Sequence, residues 1–220
     1  MHWADYAAQR LIERGGEQVS ASGITPSGEF HIGHLREILS AEMIHRACID
    51  AGIVSKYIFI VDSMDPLRRV YDFLSPEYER YIGHPLANIP APDSEGNPKE
   101  GGRTYAEHFL EPFLDALSEI GVRPEVVMNH ETYESGKFAE FVDSAINKKE
   151  EIREIIQGIS GRELPDGWFP YNPLGSDGSM DGVTVTGYEK PFVHWIDSHG
   201  IEGRSDIRKA EGKMPWRIDW

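Results

Sequence analysis

The 220 residues contain a single cysteine, Cys48. That excludes an internal disulfide framework and any metal site built on two thiolates of one chain. Long apolar runs are missing too: none approaches the ~20 residues that a membrane-spanning helix needs. The chain does not open on a signal-peptide pattern. Positive charge is scarce, with 22 Lys and Arg against 37 Asp and Glu and a formal net charge of −15. Phosphate backbones are gripped by clustered Lys and Arg, so this balance argues against a broad, non-specific nucleic-acid surface while leaving room for a local basic patch. Hydrophobic residues make up 40% and charged residues 27%, enough apolar side chains for a packed core. The expectation is a soluble cytoplasmic protein with no membrane partner, built as one large domain or as one domain plus an insertion.

Periodicity gives the outline. Trp3, Ala7 and Leu11 step by four, predicting a helix over 3–14 that Gly15-Gly16 ends. A weak strand over 17–23 runs into Gly23-Ile24-Thr25-Pro26-Ser27-Gly28, a loop by composition. Leu35, Ile38, Leu39, Met43 and Ala47 predict a helix over 33–51, stopped by Gly52. Residues 54–62, β-branched and aromatic, carry the strongest strand pattern and end on Asp62. Six prolines between Asp65 and Arg103 preclude a long helix there, and 93–103 reads as an exposed polar loop. Further on, the pattern predicts a helix over 105–120, a short strand at 126–128 and one long helix over 137–157. Beyond Gly158 helical periodicity stops, and 182–188 with 190–196 suggest a β-hairpin around Glu189-Lys190.

This alternation predicts an α/β fold, a Rossmann-like doubly wound parallel sheet over residues 1–160, with a small β-rich insertion over 161–220. Ligands of such sheets bind beyond the carboxyl ends of the strands. The loops 23–34 and 62–65 follow predicted strands and so belong to that edge.

His31-Ile32-Gly33-His34 is the most informative tetrapeptide. It lies where a loop turns into a helix, so free backbone N–H groups and the positive end of the helix dipole meet any bound anion. Two imidazoles there can donate to phosphate oxygens as charge builds, and Gly33, lacking a Cβ, admits a flat base. A bare His-x-x-His is more simply a pair of caps; the strand–loop–helix context after a Gly-Ile-Thr-Pro-Ser-Gly loop favours the chemical role. Glu37, three residues after His34 and four after Gly33, shares their helix face. A carboxylate beside a phosphate site is unfavourable unless it serves a cation, and a lysine ε-ammonium fits; the simpler alternative is a solvated surface Glu. Asp62 and Asp65 either bind a substrate amine or order their loop. Thr25 and Ser27 either line the cleft or make an ordinary turn.

These motifs resemble the class I aminoacyl-tRNA synthetases and, more narrowly, class I lysyl-tRNA synthetase. The resemblance also rests on His2-Trp3-Ala4-Asp5-Tyr6, Arg36-Glu37, Tyr105-Ala106-Glu107-His108-Phe109 and the terminal Trp216-Arg217-Ile218-Asp219-Trp220. It implies a lysine–tRNA ligase that binds ATP, with Mg²⁺ as its companion, and lysine, forms lysyl-adenylate and serves tRNA(Lys). It implies His31 and His34 as catalytic groups; Thr25, Ser27 and Gly33 join them around ATP. Gly23, Glu37, Asp62, Asp65 and Trp220 fall to lysine. Two departures accompany it. Archaeal relatives often carry Cys/His zinc sites where this chain has Gly101-Gly102-Arg103 with His108, and Asn172-Pro173 with His194 and His199, so no structural zinc is expected. The second signature of the class, a Lys-Met-Ser-Lys-Ser-like loop, does not occur; Lys213-Met214 is followed by Pro215. The expectation is therefore the first half of a catalytic domain, weak or inactive alone and without a tight grip on tRNA. A small nucleotidyltransferase, or a paralogue that binds lysine or nucleotide without turnover, is the alternative.

Overall fold

The computed structural model describes residues 2–215, 218 and 219. Helix α1 (Trp3–Arg14) starts on His2, whose ring accepts from the Ala4 N–H while Asp5 accepts from the His2 N–H. Its Ala4 and Ala8 pack against Ala47 and Cys48 of α2 (Ile32–Asp50); small side chains let the two helices come close. Strands β1 (Gln18–Ile24) and β2 (Ser55–Val61) flank α2 in sequence and pair in parallel, from Gln18↔Ser55 to Ile24↔Val61.

Between β2 and the third parallel strand the chain makes an excursion. A 3-10 turn (Pro76–Tyr81) is followed by a hairpin of β3 (Pro90–Pro92) and β4 (Pro98–Thr104), then α3 (Tyr105–Glu119). The expected polar loop over 93–103 is thus half strand. The Asp93 carboxylate accepts the Glu95 and Asn97 N–H groups and Gly96 takes a φ of 83°, which closes a turn that the prolines had hidden. Most of β4 is exposed, as a polar loop would be. Strand β5 (Glu125–Met128) then pairs in parallel with β2, giving the order β1-β2-β5. Phe59 and Val61 of β2 are fully buried and pack with Ile38 of α2 and with Leu110 and Leu117 of α3. β2, the central strand, carries the near-continuous apolar run that burial on two faces demands.

A short helix α4 (Asn129–Glu134) follows β5 directly; its single turn and a half is too brief to leave a period. The single helix expected over 137–157 is two: α5 (Ala139–Asn147) and α6 (Lys149–Ser160), broken at Lys148 with φ −109° and ψ 21°. The apolar spacing explains the break. Ile146 and Ile152 are six residues apart, off any common helix face, and Asn147 to Glu151 provides nothing apolar to hold one continuous stripe.

The last third is β-rich. β6 (Asn172–Pro173) precedes an antiparallel meander of β7 (Thr184–Glu189), β8 (Phe192–Ile196) and β9 (Glu202–Asp206), and β10 (Gly212–Lys213) returns to pair with β6. The expected hairpin is the first two strands of this meander. Tyr133, Val142 and Ile146 from α4 and α5 share a core with Tyr171, Val193, Ile207 and Met214. That shared core carries Lys213 toward the carboxyl end of β2. Among the described residues, no helix is long and apolar enough to cross a membrane.

Candidate functional site

β1 and β2 end side by side, and the Asp62 N–H donates to the Ile24 carbonyl at 2.8 Å. Helix α2 begins at the same edge. His31 is its N-cap: the ring Nδ1 accepts from the Gly33 N–H at 3.1 Å, and the His31 N–H donates to Nδ1 of His34 at 3.0 Å. The rings stack with centroids 3.8 Å apart. Because each Nδ1 accepts, a neutral ring at either position carries its proton on Nε2. Two Nε2–H donors therefore sit at a helix N-terminus, where the dipole adds positive potential. Burial, and next the charge on His31, hold the His34 pKa below its ordinary 6.5, while Glu37 opposes them. Gly33 has a structural reason to be glycine: a Cβ there would lie 2.8 Å from Cε1 and 2.9 Å from Nδ1 of His31.

Both imidazoles and Ser27 line a cleft of about 690 Å³. Its far wall is aromatic. Tyr71 and Phe73 stack within 3° of parallel, and Phe109 meets Phe73 edge-on. Glu29, Asp93 and Glu95 make part of its rim acidic. The loop carrying Ser27 is pinned from α3, where the Tyr105 hydroxyl donates to the Ser27 carbonyl at 2.8 Å.

The remaining expected residues divide into two groups. Glu37 is exposed, and its Oε1 accepts from the Gly23 N–H at 3.3 Å, which joins α2 to the end of β1. Asp62 and Asp65 instead enter a buried polar layer, with the half-buried Thr25 at its edge. Asp62 accepts from the Asn129 amide at 2.6 Å. Asp65, 3% exposed, accepts from the Thr25 hydroxyl through Oδ2 and from the Lys213 ammonium through Oδ1, each at 2.6 Å. Lys213, 2% exposed, also meets Asp219 at 3.1 Å, and Asp219 accepts from the Tyr133 hydroxyl. Burial pulls the Lys213 pKa down, but Asp219 and then Asp65 outweigh it, and the ammonium is held charged. Both oxygens of Asp65 are thus engaged within the protein. Trp220 lies outside the described residues.

Several members of this arrangement left no pattern in the sequence. Tyr71 and Phe73 stand in the proline-broken stretch, where periodicity says nothing. Lys213, between Gly212 and Met214-Pro215, completes no signature, and no local pattern marks it for burial. Among the described residues, no group of three or more His, Cys, Asp and Glu is placed to share a metal ion.

A family model described as tRNA synthetases class I (K) matches residues 1–220. The lysine–tRNA ligase of Picrophilus torridus is 41% identical over 221 residues, which cover 100% of this chain and 42% of that protein. The lysine–tRNA ligase of Thermoplasma volcanium is 40% identical with the same coverage. That of Archaeoglobus fulgidus is 39% identical, covering 100% of this chain and 43% of its own length. The chain spans about two fifths of the length of these curated relatives. With a full-length match to the family model and this level of identity throughout, the chain belongs to the class I lysyl-tRNA synthetase family.

Proposed function

We propose that the cleft at the start of α2 takes ATP with Mg²⁺, together with lysine, for lysyl-adenylate formation, the first half of lysine–tRNA ligation. The observation that carries this reading is the reciprocal His31–His34 cap, which occupies both Nδ1 atoms and leaves an Nε2–H donor on each of two rings that line the aromatic-walled cleft at a helix N-terminus. The lysine carboxylate attacks the α-phosphorus and pyrophosphate leaves. His31 and His34 donate to phosphoryl oxygens as negative charge grows, and Ser27 and Gly33 leave room for the nucleotide. The acidic rim suits an ATP that arrives with its divalent cation rather than bare.

Glu37 is assigned to the lysine side chain, with Gly23 fixing its carboxylate. Thr25 fits the amino acid better than ATP. Its hydroxyl proton is spent on Asp65, so its oxygen offers lone pairs, which an ammonium can use and a phosphate oxygen cannot. Asp65 orders this loop, since its oxygens are already taken. Asp62 lies beside it at the end of β2, and the adenylated lysine is passed to tRNA in the whole reaction.

Calorimetric titration with MgATP, followed by lysine, arginine, ornithine and glutamate, tests the reading. Saturable binding of MgATP and a preference for lysine are expected. Nucleotide binding with no amino-acid preference would favour a nucleotidyltransferase of the same fold.

A further inference from the structure

Lys213 and Thr25 lie on opposite sides of one carboxylate, although 188 positions separate them in the chain. We propose that Lys213 is a positioning residue for the amino-acid substrate, acting through Asp65 on the Thr25 hydroxyl. The proposal rests on the reading that Thr25 accepts from an ammonium of the bound lysine.

An aspartate that is 3% exposed in the turn after β2 would be costly as an unpaired anion. Lys213, its buried partner, offsets most of that cost with a 2.6 Å contact to Oδ1, leaving Oδ2 to accept from Thr25 at 2.6 Å, with the exposed Arg68 guanidinium 4.0 Å from the same oxygen. An ionised carboxylate only accepts. With Oδ1 held by Lys213 and Oδ2 facing Thr25, the Thr25 proton has one place to go, and the lone pairs of Oγ1 are the part of the hydroxyl left for a ligand. If the ammonium is lost, the Oδ1 contact that fixes the carboxylate goes with it, and the Thr25 hydroxyl is free to turn its own proton outward. An ammonium would then meet a donor instead of an acceptor.

Lys213 is itself held. Asp219 contacts it at 3.1 Å, and Tyr133 donates to Asp219 while accepting from the Met214 N–H at 2.9 Å. The pairing of β10 with β6 fixes the backbone at Lys213 opposite Asn172. The β-rich last third of the chain therefore reaches the end of β1 through one buried ammonium.

The test is a double-mutant cycle read in two dissociation constants, for lysine and for MgATP, on the chain and on Lys213→Met, Thr25→Val and the double variant. Thr25→Val is expected to weaken lysine about tenfold. Lys213→Met should do the same in the Thr25 background and should add less than about twofold to Thr25→Val. MgATP affinity should stay within about twofold throughout. A purely structural role would weaken both ligands together and would do so equally with threonine or valine at 25; either result overturns the proposal. Unchanged lysine affinity in Thr25→Val also overturns it. If Lys213→Met does not fold, Asp65→Asn is placed in the same cycle, interrupting the relay one step later; additive losses there count against the proposal and non-additive ones for it. Absence of lysine binding to the unaltered chain would instead remove the functional reading on which the proposal stands, a result distinct from normal binding with a flat cycle.

Discussion

The His31 ring accepts from the Gly33 N–H at 3.1 Å, and the His31 N–H donates to the His34 ring at 3.0 Å. Each imidazole satisfies a backbone group with one nitrogen and leaves the other uncommitted to the cap. The alternatives open for a His-x-x-His, a pair of caps or a pair of phosphate donors, are therefore compatible. Capping sets the tautomer, and the tautomer sets the donor.

Replacement of His31 separates these two uses. His31→Asn retains a capping side chain, so it should unfold within about 0.5 kcal/mol of the original, whereas His31→Ala should lose about 1 kcal/mol. In calorimetry both should bind MgATP more weakly, by about one hydrogen bond of roughly 1 kcal/mol. The double variant His31→Ala with His34→Ala should lose about thirtyfold. An unchanged MgATP affinity in that double variant would remove the nucleotide from this helix start.

Gly33→Ala gives a contrast of sign. Alanine in a helix is ordinarily worth about 1 kcal/mol over glycine, but here its Cβ would meet the His31 ring at 2.8 Å. The ring has to swing away and the cap breaks, which offsets that gain. The expected result is a melting temperature close to the original together with weaker MgATP binding. A more stable variant with intact MgATP affinity would show that the ring position is unimportant.

Acidification should act through His34. Burial, then the His31 charge, hold its folded pKa below 6.5, so between those values the unfolded chain binds the proton and the folded chain does not. The contribution is complete above about pH 6.5 and is lost as pH falls through the folded value. Melting temperatures from about pH 8 down to about pH 5 should drop more steeply for the original chain than for His34→Gln. Parallel curves would mean that His34 titrates normally.

Much of this was legible in the sequence where residues repeat with a period or end an element. The helix start at 31–34, the strand ending on Asp62 and the hairpin near 189 all carry local signals: a cap, a β-branched run, a polar turn. What escaped was set by contacts across the chain. The role of Asp65 is decided by a lysine 148 residues away. The aromatic wall of Tyr71 and Phe73 lies in a stretch whose local pattern is broken by proline and which the β3–β4 turn holds through the Ser75 N–H to the Gly96 carbonyl.

Metal should be dispensable to the fold. Purified chain is expected to contain no stoichiometric zinc, and a chelator should leave its melting temperature unchanged. About one zinc per chain by elemental analysis would contradict this.

The central claim is that Glu37, beside the proposed nucleotide site, selects a cationic side chain, and competition between lysine and norleucine tests it most directly. Glu37 shares the helix face of His34 and is steadied by the Gly23 N–H at 3.3 Å. A charge-assisted contact to the ε-ammonium is worth roughly 1.5–3 kcal/mol, about a ten- to hundredfold preference, and the exposure of Glu37 places it at the lower end. Glu37→Gln keeps the shape and removes the charge. The original chain should prefer lysine by about tenfold, and the variant should lose most of that preference with its MgATP affinity intact. Equal discrimination by both proteins would contradict the account.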